Sequence, residues 1–140
     1  MAKVQCVMVT QHSHLARDEA IALLEHYFRC VDGKDIDGLM AILTEDCRFR
    51  IETDQLDHTG RDAGVRAMFE RLFGRYAKIW HGNFSWVFDA EVQRIACQLD
   101  VINTEPSGRE HHKHNASFYH IRDGKIAFAG IYMSGVNALV

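Results

Sequence analysis

From Ile79 onward the hydrophobic period of this chain drops to two, and that change constrains the fold more than any other feature. Before Tyr76 the apolar residues recur mainly at three- and four-residue spacing, broken by one short alternating run; after Ile79 they alternate. Ile21, Leu24, Tyr27, Phe28 and Val31 form one helical stripe over residues 16–32, and Val65, Met68, Phe69, Leu72, Phe73 and Tyr76 form another. Between them Asp35 is placed to cap a short helix carrying Leu39, Met40 and Leu43. Cys47, Phe49 and Ile51 alternate, which predicts a short strand over 47–52, followed by a polar stretch over 53–60. Four further strands are expected at 79–89, 92–103, 110–121 and 125–133, jointed at Ala90-Glu91, at the run from Glu105 to Gly108, and at the hairpin signal Asp123-Gly124. Helices first and an antiparallel meander after predict an α+β domain with its helices on one sheet face.

The bulk chemistry narrows the function classes. A chain of 140 residues suits a single domain, expected over 1–140 with an N-terminal arm over 1–15. A net charge of −3, from 16 basic and 19 acidic residues, argues against nucleic acid or an anionic membrane as partner. Cys6, Cys30, Cys47 and Cys97 form no CxxC pair, and three of them sit inside apolar patterns, as buried thiols do. Met1 to Val9 is too short and too weakly apolar for a spanning helix or a signal core, so a soluble cytoplasmic protein is expected.

Two places carry candidate chemistry. Asp32 falls in the last turn of the first helix, just before Gly33, where the negative end of the helix dipole disfavours a carboxylate by up to ~1 kcal/mol. A donor or cation nearby would compensate, and His81, opening a later strand, is the candidate: a carboxylate-oriented imidazole is a general base near neutral pH. The alternative is a solvated helix end and an ordinary strand histidine. Tyr27 lies on the buried stripe of the same helix, as a core tyrosine or as a proton donor.

The second place is Glu110-His111-His112-Lys113-His114-Asn115. His112 and His114 share one strand face at a spacing that suits zinc or copper, with His111, Lys113 and Asn115 on the other. No third ligand accompanies them locally, so a polar strand end and no metal are expected. Trp80, Phe84, Trp86 and Phe88 alternate on one face, opposite His81 unless a bulge intervenes. If His81 lines the helix-covered side, that aromatic row faces outward and calls for a second copy of the chain, as a homodimer or homotrimer. Nucleophile-elbow, P-loop and dinucleotide glycine motifs are absent.

The helix-end stretch from Tyr27 to Leu39, the strand start Trp80-His81-Gly82-Asn83 and the closing Arg122-Asp123-Gly124-Lys125-Ile126 together resemble the SnoaL-like branch of the nuclear transport factor 2-like superfamily, over residues 16–133. The resemblance implies a cone-shaped roll, a curved antiparallel sheet wrapped around three helices that enclose an apolar pocket. Members similar to scytalone dehydratase, hexachlorocyclohexane dehydrochlorinase and bile-acid 7α-dehydratase use an Asp-His pair at matching places, with the last of these also matching Tyr27. Tyr27, Asp32 and His81 are thereby implied as catalytic. Ile51, Cys97 and Asn115 fall at pocket positions of such relatives, and Phe69, His112 and His114 complete the expected substrate pocket. Ketosteroid isomerase, another relative, carries acidic groups where this chain has Ile51 and, nearby, Ala116, so its chemistry is not implied.

The leading expectation is a cofactor-independent lyase, dehydratase-like, acting on a small hydrophobic cyclic or aromatic molecule. An isomerase or cyclase using the same base is the alternative enzyme. A non-catalytic binding or assembly module is the third reading, and it predicts that Tyr27, Asp32 and His81 do not converge.

Overall fold

The computed structural model describes residues 14–140. The N-terminal arm expected from the sequence, with Cys6 in it, lies outside the described residues apart from His14 and Leu15. Among the described residues there are three helices: α1 (Arg17–Asp32), α2 (Ile36–Ala41) and α3 (Arg66–Arg75), the last entered through a wider helical turn over Gly60–Val65. Six strands follow the order β2-β1-β6-β5-β4-β3 in one curved, unclosed sheet. They are β1 (Leu43–Ile51), β2 (Leu56–Thr59), β3 (Lys78–Asp89), β4 (Arg94–Thr104), β5 (Glu110–Arg122) and β6 (Lys125–Met133). Among the described residues no helix is long and apolar enough to cross a membrane.

The helices bury the stripes their periodicity marks. On α1 these are Ala20, Leu24, Tyr27, Phe28 and Val31; on α3 they are Met68, Phe69 and Leu72. Both stripes meet the inward residues of the sheet, among them Phe49, Ile95 and Tyr119, in one apolar core. Asp35 caps α2 as expected, accepting from the Gly38 backbone N–H at 2.9 Å.

Three details depart from expectation. Leu43 opens β1 instead of ending the second helix, because β1 starts early and shifts register between Leu43 and Arg48 against β6. The polar stretch after β1 contains β2, which folds back on β1 in a hairpin. The sheet is antiparallel except for the β1–β6 pair, whose connection through the rest of the chain is long enough to allow parallel pairing. The first helix stops at Gly33 as expected, but Gly33 has a φ of −85°, and the left-handed conformation falls to Lys34 at φ 54°. A non-glycine residue is uncommon there. Lys34 is held by its Nζ, which donates to the carbonyls of Phe73 (2.9 Å) and Tyr76 (2.5 Å) at the end of α3. One lysine thus ties the two helix ends together.

The departure that matters most for the site is in β3. Its pairing with β4 shifts between Gly82 and Ser85, and Asn83 sits at φ 55°. This bulge inserts one residue into the alternation. His81 and Phe84, three apart, therefore both face the helices, followed by Trp86 and Phe88, while Trp80 stays outside. The aromatic row expected on the outer face is thus corrected: Phe84, Trp86 and Phe88 pack against the core, and Phe28 of α1 stands 4.9 Å from Phe84, ring centre to ring centre.

Candidate functional site

The end of α1 and the start of β3 meet at Asp32 and His81. The His81 ring Nδ1–H donates to Asp32 Oδ1 at 2.6 Å, and the His81 backbone N–H donates to Oδ2 at 3.2 Å. An ionised carboxylate only accepts, so the ring proton belongs on Nδ1 and the lone pair on Nε2. Asp32 receives two donors from one residue, which offsets its unfavourable place at the helix terminus. Phe28 packs its ring 5.0 Å from the imidazole and holds the plane from the helix side.

His81 lines a cavity of about 50 Å³ between helices and sheet, and Tyr27 and Phe69 line it too. Tyr27 is 4% exposed and wedged edge-on among Phe28, Phe69 and Tyr119. Burial above all, with the charges of Cys97, Cys47 and Asp32 adding to it, drives the Tyr27 hydroxyl well above the ordinary tyrosine range. It therefore stays protonated, able to donate and unable to act as a base. Tyr27, Asp32 and His81 thus converge, with Tyr27 and His81 sharing one cavity and Asp32 behind His81.

The pocket residues expected from sequence divide. Phe69 and Asn115 line the cavity. Ile51 and Cys97 are buried in the core but do not line it, and burial pushes the Cys97 thiol up to about 12. His112 and His114 are corrections: both project from the outer face of β5, 64% and 87% exposed. There His112 pairs with Glu110 at 3.1 Å and His114 with Asp100 at 2.5 Å. Alternation in β5 explains this, since Lys113, Asn115, Ser117 and Tyr119 take the inward phase.

Several cavity residues were not anticipated from sequence: Lys113, Ser117 and Asn103 on the sheet, and Ala138 and Leu139 from the segment after β6. That segment is laid over the cavity by a hydrogen bond between His58 Nε2 and the Leu139 carbonyl, at 2.9 Å, and by Arg71 Nε, which donates to the Val140 carbonyl at 2.9 Å. The alternation through Tyr119 was the available signal for Lys113 and Ser117. Nothing local in the sequence marks Ala138 or Leu139.

No curated protein matches this chain in sequence. Solved structures match it in fold. A candidate polyketide cyclase from Pseudomonas putida KT2440 aligns with a TM-score of 0.74 at 20% identity, over 85% of this chain and 93% of that one. A candidate isomerase from Bacillus subtilis aligns at 0.73 and 13% identity, over 84% and 87%. AusH from Aspergillus nidulans aligns at 0.74 and 11% identity, over 87% and 88%. At such identities the likeness is one of fold. The sequence model of the SnoaL-like domain matches residues 24–129, a span that contains α1 from Leu24 onward, both partners of the Asp32–His81 pair and nearly all of the sheet. The chain belongs to the SnoaL-like domain family.

Proposed function

We propose that the protein is a cofactor-independent lyase in which His81 removes a proton from carbon next to an electron-withdrawing group. The observation that carries this reading is the 2.6 Å contact between Asp32 and His81 at the wall of a cavity shared with Tyr27. Asp32 holds the imidazole in the Nδ1–H tautomer and stabilises the imidazolium that forms; Nε2 takes the proton. Tyr27, kept protonated by burial, donates a hydrogen bond to the departing group; the proton held on Nε2 then passes to that group, which leaves as water or another neutral acid and returns His81 to its neutral form. The base supplies about a hundred- to ten-thousandfold of rate, and the apolar walls contribute by orientation and desolvation. The substrate is a small hydrophobic molecule, in keeping with the size and lining of the cavity.

A second reading, isomerase or cyclase, uses the same base but returns the proton to another carbon. The names borne by the Pseudomonas putida and Bacillus subtilis neighbours favour it. Product mass separates the two, since elimination loses the leaving group and isomerisation keeps it. The shared mechanism is tested by Asp32→Asn and His81→Ala on any turned-over substrate. Both should lower kcat by about a hundredfold or more with the fold retained. Full turnover by His81→Ala would remove it.

A further inference from the structure

One cavity residue has no place in that chemistry. Lys113 is 4% exposed, lines the cavity, and its Nζ meets no hydrogen-bond partner among the described residues. A buried ammonium almost always carries a partner, because an unpaired charge or donor removed from water is costly. Burial, then the like charge of Arg75, pulls Lys113 below the ordinary lysine range; Asp54 acts in the opposite sense but forms no ion pair with it. Two positions along the same inward face, Asn115 Oδ1 is likewise buried and unpartnered. Two unmatched polar atoms on one wall of the cavity, which Asn103 and Ser117 also line, mark a place where a ligand completes the bonding.

The register sets where that place lies relative to the base. His81 on β3 pairs with Val101 on β4, and Val101 pairs with Lys113 on β5. His81 and Lys113 thus occupy one rung, two strand spacings apart, about 10 Å between Cα atoms. Both side chains point to the concave side, with the cavity between them. A molecule bound there presents one end to a basic nitrogen and the other to a cation.

We propose that Lys113 anchors the carboxylate of a small hydrophobic acid, so that the substrates of this site are carboxylates with an apolar body reaching toward His81. This rests on the cavity being the substrate site but not on the reaction that His81 performs. A full negative charge is the complement that an unpaired ammonium lacks, and a charge-assisted hydrogen bond in an apolar site is stronger than one to a neutral oxygen. Val101 and the ring of Phe69 leave the middle of the molecule in apolar surroundings.

The test is calorimetric binding of three matched pairs to the intact protein: isobutyrate and isobutyramide, benzoate and benzamide, 3-phenylpropionate and 3-phenylpropanamide. At least one carboxylate should bind the wild-type chain tenfold or more tighter than its amide. Lys113→Met should erase that preference, and Lys113→Gln, which keeps a donor without charge, should erase it too. His81→Ala should leave it intact, which separates this proposal from the catalytic one. The proposal is overturned if the wild-type chain shows no carboxylate preference, if it takes up none of the probes, or if the preference survives in either folded lysine variant, folding being checked by circular dichroism.

Discussion

Asp32 illustrates how a residue in an unfavourable position is made tolerable by its partner. Its carboxylate ends α1 where the dipole is against it, yet it accepts from both the ring and the backbone of His81. Asp32→Asn keeps the shape but replaces an acceptor that fixes one tautomer with a group that accepts or donates. The expected result is a drop in kcat of about a hundred- to ten-thousandfold with an unchanged thermal midpoint to within a few degrees, checked by steady-state kinetics and thermal melts in parallel. Lys113 makes the opposite expectation testable. Its folded-state pKa lies below its unfolded one, so the cost of burying its charge is full below the folded value and vanishes as pH rises toward the ordinary lysine range. Lys113→Met should therefore raise stability near neutral pH by about 1–3 kcal/mol, with the gain shrinking at alkaline pH, as read by denaturant melts across pH. A loss of stability on that substitution at pH 7 would mean that Nζ is already satisfied.

Among the elements, β3 decides the most. Its bulge turns Phe84, Trp86 and Phe88 inward behind His81 and leaves Trp80 outside, folded over Gly82. A Cβ at Gly82 would come within 2.2 Å of the Trp80 ring. Gly82→Ala should push that ring off the strand and cost about 1–3 kcal/mol of stability, with tryptophan emission shifted to the red. An unshifted spectrum would show that the ring does not rest there. The junction of α1 and α2 works by a different device, since Lys34 and not Gly33 adopts the left-handed conformation and recovers the cost through two hydrogen bonds to the end of α3.

For the whole molecule, the outer face of the sheet remains apolar for reasons other than those read from the sequence. Val87, Phe118 and Tyr132 are 70%, 49% and 45% exposed, with Phe118 and Tyr132 edge to face at 6.0 Å. Val87 and Phe118 share a rung through Ala96. Such a surface is expected to be covered by a second copy of the chain, giving a homodimer or homotrimer. Light scattering at micromolar concentration should return a mass above that of one chain, and Phe118→Lys should shift it toward the monomer. A monomeric wild-type protein would set the expectation aside.

The sequence by itself determined the longer elements and the Asp–His–Tyr chemistry of the site. The three-and-four spacing of α1 and α3 and the alternation of β3 to β6 follow from side-chain burial on one face, which periodicity records directly. Asp32 beside a helix stop, and His81 at a strand start, were legible because each is anomalous or distinctive against its local pattern. What only the tertiary structure decided was phase and company. A bulge is one residue inserted by the pairing of β3 with β4, so no pattern within β3 alone tells which side Phe84, Trp86 and Phe88 face. Likewise, the inward phase of Lys113, Asn115 and Ser117 and the outward phase of His112 and His114 depend on which face of β5 the helices cover. Whether a buried lysine has a partner is set by side chains brought in from other strands and from α3, none of them near it in sequence. Local periodicity specifies an element's faces; only packing assigns each face its neighbours, and the neighbours determine which polar groups are left for a ligand.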